Sequence, residues 1–252
     1  MTLDDPSLDE LLRRLHLANT RRIWSDLCQR AEKLDWSFRD FLCALVTDEV
    51  AHRQGTSLTK RIREARFPFH KTVEDFDFSY QSQLRRKLVG SFLGPDFVSE
   101  GRSLVLLGKP GRGKTHLAVA IALRAIHNGA SARFVTAAAL IEELSQHSRD
   151  GHLREALSDY LRPDVLVCDE VGYLTYGHDA ANVLYHLVNE RHLRRRAMIF
   201  TTNKPLKDWG HVLHDADLAE AILDRILERG RLIQLDGPSL RTKHLDQPSA
   251  TH

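Results

Sequence analysis

Cysteine is scarce in this sequence: Cys28, Cys43 and Cys168 stand far apart among 252 residues, with no C-x-x-C pair. That spacing argues against a disulfide framework and a thiolate metal site, and the three read as reduced, mostly buried thiols of a cytosolic protein. Long apolar runs are missing too, since none approaches the ~18 residues needed to span a bilayer. The opening Met-Thr-Leu-Asp-Asp-Pro lacks the basic and apolar regions of a signal peptide. Charge of one sign is also lacking. Lys and Arg total 36 against 34 Asp and Glu, a net charge of +2, which is too mild to argue for nucleic acid by itself. The 14 histidines show neither H-E-x-x-H nor zinc-finger spacing and read as scattered surface residues. No internal repeat is visible. What remains is 42% hydrophobic and 28% charged, the composition of an ordinary globular chain. Its length suits one domain with an appendage, or two small domains.

The most informative stretch is Leu104 to Ala125. An apolar run, Leu104 to Leu107, leads into Gly108, Lys109, Pro110, Gly111, Arg112, Gly113, Lys114 and Thr115, which spell G-x-x-x-x-G-K-T. A helical pattern follows through Leu117, Ala118, Ala120, Ile121, Ala122 and Ala125. Strand, glycine loop and helix in this order are the context a phosphate-binding loop requires. Glycines let backbone N–H groups approach phosphate oxygens, and the helix turns its positive end toward the same anion. Lys114 is expected to reach the β- and γ-phosphates of ATP, and the Thr115 hydroxyl to ligate Mg²⁺.

Upstream, residues 7–54 read as three short helices. Ser7 with Glu10 has the form of a capping box before the stripe Leu8, Leu11, Leu12 and Leu15. Ile23, Trp24, Leu27, Ala31 and Leu34 make a second stripe. Ser37 with Asp40 resembles a further helix start, continued by Phe38, Phe41, Leu42, Leu45, Val46 and Val50 until Gly55 stops it. Between 53 and 66, Arg53, Lys60, Arg61, Arg63 and Arg66 face only Glu64. Such a run is either a solvated helix face or a phosphate-tracking surface. Phe67-Pro68-Phe69 ends the helix. In Thr72 to Phe78 acidic and aromatic residues alternate, so Phe76 and Phe78 are expected on one face of an extended segment. There they would pack either near a nucleotide base or on the core.

Beyond residue 80 the pattern becomes β/α. Helices are expected over 84–92, 117–125, around Leu140 to Leu144, over 153–161, 180–193 and 217–228. Strands are expected at 104–107, 132–136, 164–170, 197–203 and 232–235. This alternation predicts an α/β fold, a parallel sheet with helices on both faces, preceded by a small all-helical domain. The expected divisions are a helical domain over 1–69, a linker over 70–80, an ATPase domain over 81–245 and a disordered tail over 246–252.

Asp169 and Glu170 end the second buried strand, at the sheet edge where open α/β proteins bind ligands. Asp169 suits the Mg²⁺ shell and Glu170 the base that polarises an attacking water. Asn203, ending the next strand, suits either a hold on the attacking water or the γ-phosphate, or a turn before Lys204-Pro205. Arg225, flanked by apolar residues, and Arg241 are candidates to neutralise charge on the γ-phosphate or, alternatively, to form simple salt bridges.

Together, Gly108 to His116 with Leu117-Ala118, Asp169-Glu170-Val171-Gly172-Tyr173, Thr202-Asn203-Lys204-Pro205 and Asp224-Arg225 resemble the IstB-like ATPases, AAA+ proteins related to the DnaC helicase loaders. Ala65-Arg66-Phe67-Pro68 and Thr72 to Phe78 resemble the junction between the two domains of transposition helpers, and the resemblance spans roughly residues 8–245. It implies a P-loop NTPase (AAA+) core and a homo-oligomer, ring or spiral, on duplex DNA bound with little sequence preference. It also implies recruitment of a transposase and DNA-stimulated ATPase activity. By the same resemblance Lys114 and Thr115 meet phosphate and Mg²⁺, Asp169 and Glu170 are the acidic pair, and Asn203 is the first sensor. Arg225 is a finger acting on a neighbouring subunit, and Arg241 matches a second sensor. Residues 137–157 match an insertion facing DNA, and Arg191 with Arg194-Arg195-Arg196 is a further basic cluster, for DNA or ordinary surface. The rival readings are a replicative helicase loader and a nucleotide-dependent adaptor with little catalysis.

Overall fold

The computed structural model describes residues 5–80, 89–173 and 176–239. The chain divides into two compact units, Met1–Lys60 and Arg61–His252. The first holds α1 (Asp5–Arg14), α2 (Ala18–Lys33) and most of α3 (Phe38–Glu64). Ser37 begins α3 as a capping residue: the Asp40 N–H donates to its hydroxyl at 3.2 Å, and that hydroxyl donates to the Asp40 carboxylate at 2.6 Å. Two expectations change here. The helix α1 already includes Asp5, so Ser7 lies inside it rather than capping it. Gly55 does not end α3, which runs on to Glu64. A single glycine costs an exposed helix only about 1 kcal/mol, and the residues beyond it keep the helix going.

Because Leu17, the residue before α2, offers no side-chain cap, the helix takes one from α3. The buried Glu49 carboxylate accepts the Thr20 N–H at 2.8 Å and the Thr20 hydroxyl at 3.0 Å, and Arg53 donates to it at 2.8 Å. Negative charge here also meets the positive end of α2. Burial alone would raise the Glu49 carboxyl, but the bonds from Thr20 and Arg53 outweigh it and hold the group below its ordinary 4.5. The apolar stripes are only partly covered. Leu12 and Leu27 are buried, whereas Phe38, Leu42, Val46 and Val50, spaced four apart along α3, are exposed.

The second unit is built on a five-stranded parallel sheet: β1 (Ser103–Gly108), β2 (Ala132–Thr136), β3 (Val165–Val171), β4 (Ala197–Thr202) and β5 (Gly230–Leu235), in the order β2-β3-β4-β1-β5. Between them run α4 (Asp96–Ser99), α5 (Lys114–His127), α6 (Ala137–Arg149), α7 (Leu153–Leu161), α8 (Ala180–Leu193), α9 (Trp209–Leu213) and α10 (Ala216–Glu228). Every residue of β4 is buried, as a central parallel strand with two covered faces requires. Val105, Leu166, Cys168, Met198 and Phe200 pack on one face with α6, α7, α8 and α10. The alternate residues Leu104, Leu106, Val165, Val167 and Ile199 are buried on the other, where α5 contributes Leu117 to Ile126. Residues 137–157 are α6, a turn and the start of α7, with helices where the pattern placed them around Leu140 to Leu144 and over 153–161. The helix expected over 84–92 falls mostly outside the described residues, as does the tail over 246–252. Among the described residues no helix is long and apolar enough to cross a membrane.

Thr72 to Phe78 is not extended. The Asp75 carboxylate accepts the Thr72 N–H at 2.7 Å and its hydroxyl at 2.9 Å, and the Asp75 N–H returns a bond to that hydroxyl at 3.3 Å. Such local side-chain bonding closes a turn in place of a strand. Phe76 and Phe78 still meet, edge-on at 4.9 Å, with Phe76 buried in the core.

Arg191, expected on the surface, is fully buried. Its guanidinium donates to the carbonyls of Tyr160, Pro163, Asp164 and Ala197, tying the end of α7 to the starts of β3 and β4. Burial, with Arg196 nearby, lowers its pKa to about 9. Arg191→Met, which removes the guanidinium donors from those carbonyls while the Asp164 carbonyl keeps only the Ala197 N–H, is expected to cost ~3 kcal/mol or more. A thermal melt would show this as a fall of about 10 °C. Glu49→Gln is expected to lower Tm at neutral pH, where the native carboxylate is charged. Because the folded pKa is depressed, that difference should close as pH drops below the ordinary 4.5, which paired melts across pH check.

Candidate functional site

The loop between β1 and α5 is shaped by close approaches that exclude side chains. Gly108 ends β1 against the Leu235 carbonyl, where a Cβ would stand 2.6 Å from the oxygen. Gly111 has φ +79°, and a Cβ there would run into the Ser239 hydroxyl. Gly113 has φ 86° and turns the chain into α5. Arg112 reaches back to the Leu235 carbonyl at 3.0 Å, and the Lys114 ammonium donates to the Lys109 carbonyl at 3.0 Å. The loop is thus held to β5 on one side and curled around its own lysine on the other.

This loop forms one wall of a cavity of ≈ 420 Å³. Pro110, Gly111, Gly113, Lys114, Thr115 and His116 line it from the loop and α5, and Glu170 and Asn203 from the ends of β3 and β4. Gly108, Lys109 and Arg112 support the loop from outside that lining. The topology explains the convergence. Parallel strands bring β1, β3 and β4 to one edge, although β4 separates the other two in the sheet.

Beneath the cavity lies the buried Asp169 carboxylate. The Thr115 hydroxyl donates to its two oxygens at 3.0 and 3.1 Å, and the Thr201 hydroxyl donates to it from β4. Burial pushes its pKa above the ordinary value despite these bonds and the neighbouring Lys114. Glu170 follows in a β-bulge. Cys168 pairs with Phe200 and Val171 with Thr202, so Asp169 and Glu170 together stand opposite Thr201. Glu170 has φ 61°, and its N–H donates to the Thr201 hydroxyl at 2.9 Å. The bulge breaks the strand's alternation and leaves Glu170 exposed on the cavity wall while Asp169 stays buried. Thr201, which relays between the two acids, was not singled out by sequence reasoning. Its signal is a hydroxyl pair, Thr201-Thr202, closing an otherwise apolar strand.

Asn203 presents a buried Oδ1 that has no hydrogen-bond partner among the described residues. His116 donates from Nε2 to the Thr72 carbonyl at 2.9 Å, the tautomer that an accepting carbonyl demands. Burial lowers its pKa. That bond, the edge-on contact of Phe76 with His116 at 5.2 Å and the Arg124–Glu74 ion pair at 2.6 Å fasten the 72–76 turn to α5. The same stretch brings Phe69 and Lys71 to the cavity, and Tyr173 joins from the turn after β3. Sequence reasoning did not select these three as lining residues.

Arg225 does not line this cavity. It donates to Asn189 at 2.8 Å, the Tyr185 hydroxyl at 3.0 Å and the Ala221 carbonyl at 2.9 Å, and stacks over the Tyr185 ring at 4.8 Å. No acid pairs with it among the described residues, so the simple salt bridge gives way to neutral partners. Arg241 lies outside the described residues.

The residues present fit a nucleotide triphosphate with a divalent cation. The loop lines the cavity with Gly111 and Gly113, both at positive φ, and Thr115 with Asp169 supplies hard oxygen donors beside Lys114. Among the described residues no group of three or more His, Cys, Asp or Glu is placed to hold a metal. Mg²⁺ needs none, since it keeps waters and shares substrate phosphates.

A family model described as IstB-like ATP binding protein matches residues 10–248. The chain is 35% identical over 236 residues to the "Insertion sequence IS21 putative ATP-binding protein" of Pseudomonas aeruginosa, covering 94% of this chain and 89% of that one. It is 33% identical over 242 residues to the "Insertion sequence IS5376 putative ATP-binding protein" of Geobacillus stearothermophilus, covering 95% and 96%. Among solved structures, AMPPCP-bound DnaA of Aquifex aeolicus superposes with a TM-score of 0.57 at 21% identity, over 71% of this chain and 55% of that one. The DnaC helicase loader superposes with a TM-score of 0.50 at 25% identity, over 59% and 86%. The fold is therefore that of the AAA+ P-loop proteins, and the chain belongs to the family of IstB-like ATP-binding proteins.

Proposed function

We propose that this protein is a DNA-dependent AAA+ ATPase of an insertion sequence, which assembles on duplex DNA in the cytoplasm and recruits or stimulates a transposase. The observation that carries the chemistry is the convergence of Lys114, Thr115 bonded to Asp169, Glu170 and Asn203 on one cavity. The insertion-sequence names of full-length relatives support the biological setting.

Backbone N–H groups of the loop and the start of α5 would hold the phosphates, with the Lys114 ammonium released from the Lys109 carbonyl to a phosphate oxygen. Thr115 and Asp169 would hold Mg²⁺, which would supply positive charge to offset that of the phosphate oxygens. Glu170, set toward the cavity by the bulge, would accept a proton from the attacking water. The unpartnered Asn203 amide would orient that water or the γ-phosphate. Phe69, which lines the cavity, would pack on the base. Arg225 is proposed to complete the site of a neighbouring subunit; three of its five N–H groups are engaged within its own chain, which leaves two for a phosphate. Subunits sharing sites in this way would form a homo-oligomer whose assembly depends on ATP.

The likeness to the DnaC loader supports a second reading, docking on a replicative helicase. Near-full-length kinship to insertion-sequence proteins favours the transposase. Pull-downs with each partner separate the two readings.

Glu170→Gln is expected to keep ATP affinity while turnover falls ~100-fold or more, and to trap an assembled, DNA-bound state. Normal turnover measured by phosphate release would remove the base assignment. Arg225→Ala is expected to lower turnover ~1,000-fold at unchanged nucleotide affinity. Mixing it with Lys114→Ala subunits should restore part of the activity, because each variant lacks a different half of a shared site. No recovery in the mixture would count against sharing.

A further inference from the structure

The basic cluster after α8 belongs to a cleft far from the phosphate cavity. It occupies ≈ 830 Å³ at the opposite edge of the sheet, where β3 and β4 begin. Strands of six residues put about 20 Å between the two edges. Arg154 and Ser158, one turn apart on α7, form one wall, and Arg162 stands at the end of that helix. Arg194, Arg195 and Arg196 form the other wall.

These arginines differ in what they already hold. Arg194 pairs with Glu190, and Arg196 with Asp164. Among the described residues Asp164 is the only acid lining the cleft, and its carboxylate also accepts the Ser131 N–H and hydroxyl. Arg154, Arg162 and Arg195 are exposed and form no ion pair among the described residues. The cleft is therefore a cationic trough in which Arg154, Arg162, Arg194, Arg195 and Arg196 face one lining acid among the described residues, Asp164, which Arg196 already engages. Its rigidity has two sources. Arg195 sits at φ 50°, with its backbone packed so closely on Gly101 that no Cβ fits there. Arg191, buried beneath, ties the carbonyls at the end of α7 to the start of β4, so both walls are fixed to one brace.

From this we infer that the Arg154–Arg162–Arg195 cleft is a binding site for the phosphate backbone of duplex nucleic acid. Guanidinium forks match phosphate oxygens in pairs, and Ser158 adds a hydroxyl donor. Among the described residues no aromatic ring lines the cleft, so it offers no platform for stacking unpaired bases, which favours a duplex over a single strand. Contacts of this kind position without reading sequence. Among the described residues Val98 and Leu161 are its only large apolar lining residues, a poor anchor for a protein segment, whose binding energy concentrates in buried apolar contacts. This inference rests on the DNA-binding reading above and assigns it a location, on the far side of the sheet from ATP.

The test is fluorescence anisotropy of the full chain on a labelled duplex, with a non-hydrolysable ATP analogue, across a salt series. The variant combines Arg154→Ala, Arg162→Ala and Arg195→Ala. Loss of three phosphate contacts should reduce the slope of log K against log salt by about 2 to 3 and weaken binding at least ~10-fold. Nucleotide affinity and Tm should stay as in the native protein, because none of the three lines the phosphate cavity. If the native protein binds duplex and the variant keeps its slope and affinity, this site is overturned while DNA binding stands. If the native protein binds no duplex, both readings fall. If poly-glutamate displaces the duplex as well as an equal charge of unlabelled duplex does, the cleft is a site for acidic protein segments and the inference is overturned.

Discussion

The functional end of the sheet depends on one buried carboxylate. Asp169 is a charge-bearing group surrounded by apolar strands, and burial opposes its ionised form. Hydroxyl donors from two other segments, Thr115 and Thr201, offset that in part. Those bonds connect the start of α5 to the ends of β3 and β4, so the phosphate loop and the acidic pair share one rigid anchor. Thr201 also receives the Glu170 N–H, which stabilises the bulge that turns Glu170 outward. Remove the carboxylate, and the loop, the bulge and the Glu170 orientation lose their common partner.

A second constraint works at the other edge. Arg191 satisfies four carbonyls where α7, β3 and β4 meet. Those are backbone acceptors at the end of α7, in the segment before β3 and at the first residue of β4, and a long forked cation is one of the few groups able to serve them together. Each edge of the sheet thus has a buried charged group at its centre, one negative and one positive. Above the first lies a cavity built for phosphates. Above the second lies the arginine cleft.

Much of this was legible in residue patterns. The parallel strands announced themselves as apolar runs ended by polar residues, and Gly108 to Thr115 carried its own structural context. The misreadings have local causes. Gly55 was given too much weight against the helical residues after it. Alternation in Thr72 to Phe78 suggested an extended strand, but reciprocal Thr72–Asp75 bonds close a turn. Arg191 looked like one member of a surface cluster because its neighbours Arg194 to Arg196 are three consecutive charges. Its burial depends on carbonyls about thirty residues away, which periodicity cannot register. Thr201 was missed for the same reason, since a hydroxyl gains meaning only from what stands across the sheet.

The sequence by itself determined the α/β class, the five strands, the phosphate loop and the acidic pair, because each is written in contiguous residues whose spacing has a direct physical cause. Only the tertiary structure decided how Asp169 and Glu170 divide, one buried and one exposed, since that follows from a bulge measured against β4. It also decided that Arg225 stands apart from its own chain's phosphate cavity, and that Phe69, Lys71 and Tyr173 help to line it. The separation of the arginines into a buried brace and an open cleft is a tertiary outcome as well. Such features arise between segments distant in the chain, where burial and partner choice override the preferences of any single stretch.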